Sequence, residues 1–412
     1  MFNQPPREKE WVSWLTVAAW SLVIFVTIPF ARGIQESVTV RWGREVFMLT
    51  VVVSLLAAAA FAAAVLLRSR DRGVWVRMAW LVAVTAMTIL AAGRMTVTPE
   101  ESVHFLEYGF LGILLFRALS HRLRDAGIYA VAVLAGSLVG VADEFIQWLV
   151  PARFFGFSDV WLNAFAVLLS QVALSRGIRP PFIERRVTPR SVRAASSLAG
   201  GLILALALCA ANTPAIFEWY TRVPGLAFLR KTAGVMTEYG HRIEDPRIGV
   251  FFSRMTPEEL RRQDDERGAA AAAVLDKYAR PAEYGTFLRR YPSNRDAFLH
   301  EARVHLFRRD HYMSVAWKYE NNPGKYRFHN TVAFRENQIM TGYFSNTLHH
   351  STYRWSADRI ESLEGKIDPS LCYESEVSAD LLTGFTERQM WTASLLGLVV
   401  LAAVRRYYGG RT

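Results

Sequence analysis

Long apolar runs constrain this 412-residue chain more than any other feature. They fall at about 11–30, 46–67, 74–92, 103–120, 127–150, 159–175, 195–212 and 389–404. At about 1.5 Å per helical residue, such runs approach or reach the ~30 Å needed to cross a hydrocarbon layer. Between the last two lies a stretch, 213–387, of ordinary soluble composition. The expected fold is a membrane all-α bundle of about eight transmembrane helices with a small extracytoplasmic α+β domain. Its parts are a seven-helix bundle at 1–212, a soluble domain at 213–387, and a last span with a short tail at 388–412. The first span is long for a signal segment and lacks a small-residue cleavage motif, so it is read as a retained anchor.

The net charge of +11 would ordinarily raise nucleic acid as a partner, but its location argues otherwise. Residues 213–387 hold 24 Lys+Arg and 24 Asp+Glu, so the soluble part is neutral and no nucleic-acid partner is expected. The excess lies in alternate loops, which carry 17 basic residues, including Arg68, Arg70, Arg72, Arg117, Arg122, Arg124 and Arg411. The opposite short loops carry five: Arg32, Arg41, Arg44, Arg94 and Arg153. The positive-inside rule then puts both termini in the cytoplasm and 213–387 outside.

Within 213–387, Thr256-Pro257-Glu258-Glu259 has the form of a capping box and predicts a helix to about Tyr278. Met313, Val315, Trp317 and Tyr319 alternate with polar neighbours, Asn321-Asn322-Pro323-Gly324 supplies a turn, and Tyr326, Phe328 and Val332 resume the alternation. That pattern predicts a β-hairpin. Residues 294–309 fit helix or strand, His349-His350 lies in a strand-like stretch, and a short helix is expected from Ser356 to before Gly365. His300 and His305 stand at i, i+5, which separates them on a helix, so no zinc site is expected there. Cys209 and Cys372 lie in different parts and predict neither a disulfide nor a cysteine-based metal site. In the second span Ala57–Ala64 is broken only by Phe61; such residues permit close helix approach and are also good helix formers.

Ionisable residues crowd the outer ends of spans four, five and six. Each charge costs roughly 2.5–3.5 kcal/mol at a helix centre, so a group of them needs partners or water. Glu101, His104 and Tyr108 at i, i+3 and i+7 share one helical face, as do Glu144 and Gln147 after Asp143. Pro151-Ala152-Arg153 follows, and Asp159 and Asn163 stand at i, i+4 on span six.

In these residues the chain resembles the VanZ-like membrane proteins. That family's pattern is an acid three or four before a histidine, a tyrosine four after it, Glu-x-x-Gln, Pro-x-Arg, then Asp-x-x-x-Asn. It matches Glu101 (or Glu100), His104, Tyr108, Glu144, Gln147, Pro151, Arg153, Asp159 and Asn163, over about 95–175. The family's lysine beside the first acid is absent here, and its spaced glycines after the asparagine are replaced by Ala166 and Ser170. The resemblance implies a multi-pass protein of the bacterial cytoplasmic membrane and cell envelope, in a family associated with teicoplanin-type glycopeptide resistance.

Three chemistries fit the cluster. His104 held by a carboxylate could act as a general base while Arg153 binds an anionic group. His104, Glu144 and Asp159 could hold a divalent metal, although the spacing does not require one and no metal or other cofactor is expected. The cluster could equally be a polar network that fixes helix register. Bland roles exist for single residues: Asp159 at a helix N-terminus capped by Ser158, Arg153 as a headgroup anchor, Tyr108 as a packing residue. The expected function is an outer-leaflet site that binds or modifies an anionic envelope lipid or lipid-linked cell-wall precursor. Glu101, His104 and Glu144 are its candidate catalytic centre, with Tyr108, Gln147, Arg153, Asp159 and Asn163 binding. The alternative is a non-enzymatic scaffold or sensor whose extracytoplasmic domain binds a partner or wall component.

Overall fold

The structure is a computed structural model that describes residues 4–68, 73–94, 99–151, 153–232 and 234–409. Three of the loop arginines, Arg70, Arg72 and Arg411, lie outside the described residues. In chain order the elements are α1 (Glu10–Thr27), α2 (Ala31–Trp42), α3 (Glu45–Arg68), α4 (Val74–Gly93), α5 (His104–Leu119), α6 (Gly127–Leu149), α7 (Phe157–Val172), α8 (Pro189–Ala211), α9 (Pro214–Tyr220) and α10 (Leu229–Thr232). They continue as β1 (His241–Asp245), β2 (Gly249–Ser253), α11 (Pro257–Lys277), α12 (Tyr284–Arg290), α13 (Ala297–Ala316), α14 (Pro323–Tyr343), α15 (Ser345–His350), α16 (Ala357–Glu364) and α17 (Glu387–Gly409). Two compact units result: Met1–Met236 with Arg388–Thr412, and Thr237–Glu387.

Among the described residues of the first unit, eight helical segments are long and apolar enough to cross a membrane, one at each expected run. The spanning windows of α5, α6 and α7 are 39–50% buried against 6–17% for the other five, so these three helices form the centre of the unit. Without water to drive association, membrane helices pack best where small residues let backbones approach. A Cβ at Gly136 on α6 would stand 2.7 Å from Val167 of α7, and one at Gly140 would stand 3.0 Å from Asn163. Gly112 on α5 faces Ser170 in the same way. The glycines that α7 lacks are thus supplied by its partners. Ala57, Ala58 and Ala60 are exposed on α3, which favours the helix-forming reading of that run.

Polar contacts fix the ends. Glu8 accepts from Arg117 and, at 2.8 Å, from Ser13, docking α1 on α5, and Trp20 Nε1 donates 2.9 Å to the Glu107 carbonyl. The hydrogen bonds from Arg117 hold the Glu8 carboxyl down at about 2. Buried Asp125 accepts from the Gly127 amide, Thr188 and Ser191, tying the start of α6 to that of α8. Thr188 also caps α8, with Pro189 at its first position, so this helix starts several residues before the apolar run.

The second unit is mostly helical. The expected capping box at Thr256 is present and α11 ends at Lys277 as foreseen; α16 likewise begins after Ser356. The hairpin expected across 313–332 is instead a pair of helices, α13 and α14, and residues 297–316 resolve as helix. Asn321-Asn322-Pro323 does reverse the chain, but Asn322 caps α14 by accepting from the Lys325 amide at 3.2 Å, and Pro323 takes the first helical position. Burial follows a helical period, through Leu299, Ala302, Leu306 and Val332, Ile339, Met340, while Trp317 and Phe328 of the supposed strand faces are exposed. His349 and His350 lie at the end of α15, so that stretch is no strand either. The β structure lies at β1 and β2, an antiparallel pair whose Ile243 and Phe251 enter the core, turned with Gly249 at φ +114°. The unit's chain entry and exit pair with each other: Leu382 N donates to Glu238 O at 2.9 Å and Gly240 N to Leu382 O at 3.2 Å.

At the centre of this unit Glu336 is fully buried. It takes His305 Nδ1 at 2.6 Å, Tyr373 Oη at 2.6 Å and Ser375 Oγ at 2.7 Å, with Arg308 Nε 3.2 Å away. Burial raises its carboxyl, but the His305 charge and the three donors outweigh this and hold it below the ordinary carboxylate range.

Two predictions follow from this packing. Gly136→Val will lower the thermal midpoint of the full chain in detergent, through an overpacking cost of about 1–3 kcal/mol; an unchanged midpoint contradicts the close contact. Glu336→Gln will cost about 3–5 kcal/mol as a broken buried pair, read as faster amide exchange across 323–343 of the full chain. Since the folded carboxyl lies below its ordinary value of 4.5, the advantage of glutamate is complete above that pH and fades as pH falls through the folded value. A difference that persists unchanged at lower pH contradicts the charged network.

Candidate functional site

The polar residues picked out in spans four to six meet at one end of the α5–α6–α7 core. The sequence predicted a single helical face from Glu101 to Tyr108, but a 3-10 turn at Pro99–Val103 precedes α5, which starts at His104. Glu101 therefore sits half-buried on that turn, and Glu100 beside it accepts from Arg44 at 2.7 Å. His104 faces down its own helix, with Nδ1 3.4 Å from Glu107 Oε2. The histidine thus faces the carboxylate of Glu107, a residue outside the sequence pattern, one turn on from His104.

Tyr108 is fully buried and donates its hydroxyl to Asp143 Oδ2 at 2.9 Å. Asp143 is 1% exposed, and its other oxygen has no hydrogen-bond partner among the described residues. The sequence pattern assigns Asp143 no role, because only its neighbour Glu144 fits the Glu-x-x-Gln motif. Glu144 is fully buried and both its oxygens are occupied, one by Gln147 Nε2 at 2.6 Å and the other by the Gly156 amide at 3.0 Å. Gln147 in turn accepts from Arg153 Nη2 at 2.5 Å. Glu144, Gln147 and Arg153 are one hydrogen-bonded chain, in which the i, i+3 spacing had placed the first two on one face.

Glycine 156, not Ser158, is the N-cap of α7, and it makes no side-chain cap bond. With its amide held by Glu144, the loop ends there and the helix begins at Phe157, earlier than the serine could cap. Asp159 falls in the first turn, where an acid complements the helix dipole. Asn163 lies one turn on, fully buried against Gly140, with neither amide atom hydrogen-bonded among the described residues. Electrostatic interactions link the groups: His104 with Glu107, Asp143 and Asp159; Glu144 with Asp159, Asp143 and His104; Asp143 with Arg153. Four carboxylates, one arginine and one histidine thus interact at this end of the three helices. The arrangement can position a base, bind a cationic group, or hold a phosphate at its arginine edge. Among the described residues, no three His, Cys, Asp or Glu side chains gather as a metal ion would require. In the second unit His300 turns to the Tyr291 carbonyl and His305 to Glu336, so those two histidines serve separate partners.

On the other face of α6 lies an apolar groove of about 640 Å³, lined by Val141, Phe145, Trp148, Leu208, Phe228 and Met236 among others. Trp148 Nε1 donates 2.6 Å to the Gly234 carbonyl and so holds the segment after α10 against α6.

No curated protein and no solved structure matches the chain. The model of the VanZ/LLP1 family matches residues 14–175. This range takes in the residues that carry the resemblance and extends it back over the first three spans, whose apolar sequences offer no polar motif to read. The chain is therefore a multi-pass membrane protein in which residues 14–175, from α1 to the end of α7, are VanZ-like.

Proposed function

We propose that the ends of α5, α6 and α7 form a headgroup site for a phosphate-bearing envelope lipid or lipid-linked cell-wall precursor, at the outer leaflet of the bacterial cytoplasmic membrane. The observation that carries this reading is the buried polar cluster, with Asp143 and Asn163 incompletely hydrogen-bonded among the described residues and Arg153 at its edge. Polar groups in such a place are costly unless something they bind repays them. Arg153 contacts the phosphate, for which guanidinium geometry is suited. Glu144 acts through Gln147 to position Arg153, Tyr108 orients Asp143, and Glu101, Asp159 and Asn163 border the ligand. The groove behind α6 offers room for an acyl chain. If a reaction occurs, His104 serves as the base. The sidedness rests on the positive-inside charge pattern, which also puts the second unit outside the cell, and a part in teicoplanin-type resistance is what the family likeness adds. A second reading, a non-enzymatic scaffold or sensor whose second unit binds a partner, is favoured by that unit's separate core.

Native mass spectrometry of the gently purified full chain distinguishes them. Arg153→Gln will reduce phospholipid retention at least about tenfold, the loss of roughly one charge-assisted hydrogen bond. His104→Ala will retain lipid but lose any turnover. If folded Arg153→Gln carries the same lipids as the wild type, the headgroup reading fails and the second unit becomes the seat of function.

A further inference from the structure

Acidic side chains crowd this site: Glu107, Asp143, Glu144 and Asp159 interact with His104, and Asp143 interacts with Arg153. A ligand bearing only phosphate would add negative charge beside these acids, in a setting where like charges repel strongly. Among the described residues, buried Asp143 Oδ1 receives no donor, and buried Asn163 Oδ1 and Nδ2 make no hydrogen bond. Asn163 packs on Gly140, one helical turn before Asp143 and Glu144, so it borders the same face of α6. These open acceptors call for a hydrogen-bond donor that carries positive charge, and an ammonium group supplies three such N–H bonds.

We propose that the headgroup held by α5, α6 and α7 is zwitterionic, of the phosphoethanolamine type, with its ammonium received by Asp143, Asp159 and Asn163 Oδ1 while Arg153 takes the phosphate. This deepens the headgroup reading and rests on it. The primary amine is the recognition element; a lipid with a phosphate and no amine meets the same arginine but leaves the acids unmatched.

The test is a titration of the delipidated full chain, followed by native mass spectrometry, with three short-chain lipids: phosphatidylethanolamine, its N-acetylated derivative, and phosphatidylglycerol. Wild type will bind the free amine at least about tenfold more tightly than either of the others. Asp143→Asn, which keeps an acceptor for Tyr108, will erase that preference and leave the N-acetylated lipid unaffected. Equal or tighter binding of phosphatidylglycerol or the N-acetylated lipid to wild type overturns the ammonium assignment, whatever the variant does. If Arg153→Gln still weakens all three, the phosphate site survives that outcome. If it weakens none, the headgroup reading falls and the ammonium site with it.

Discussion

Two hydrogen bonds to one buried carboxylate organise the membrane part. Glu144 stands near the end of α6, takes the amide of Gly156 and the side chain of Gln147, and thereby fixes where α7 begins. In a medium without water, an amide at a helix start must find its acceptor inside the protein. A carboxylate from the neighbouring helix is a strong choice, because it also complements the positive end of α7. From that anchor follow the placement of Arg153 through Gln147, of Asp159 in the first turn, and of Asn163 against Gly140. The glycines of α5 and α6 then let the three backbones approach closely enough to bury the cluster.

The spans were legible because a hydrocarbon layer imposes a length and a composition that few soluble segments meet. The start of α8 was not, since a helix capped at Thr188 need not be apolar along its first turns. In the second unit the capped helices α11 and α16 could be read from their first residues. The strand assignment at 313–332 failed because alternation over four or five residues also occurs on a helix, and only the longer spacing of Leu299, Ala302 and Leu306 separates the two periods. The β pair at 241–253 left a weaker trace, a proline turn before Gly249 and the apolar Val250-Phe251-Phe252.

That polar side chains of three spans would gather at one end was legible; which atoms they join was not. A motif supplies spacing along one helix, so Glu144 with Gln147 could be paired in advance. It cannot say which side chain from another helix arrives at a given atom. The Tyr108 hydroxyl reaches Asp143 because of the rotation of α5 against α6, whereas His104 meets Glu107 on its own helix at i, i+3. The difference matters chemically. Both oxygens of Glu144 are occupied, by the Gly156 amide and by Gln147, whereas one oxygen of Asp143 has no hydrogen-bond partner among the described residues.

The second unit enters and leaves the chain at neighbouring points, with Glu238 and Gly240 paired to Leu382. A domain whose two ends are clasped by its own backbone behaves as a cassette: the flanking spans need supply only two strands of chain, side by side. Insertion, exchange or loss of such a cassette would leave the order of the transmembrane helices untouched. A membrane bundle can on this plan acquire a new compact unit between two of its spans without refolding its membrane core.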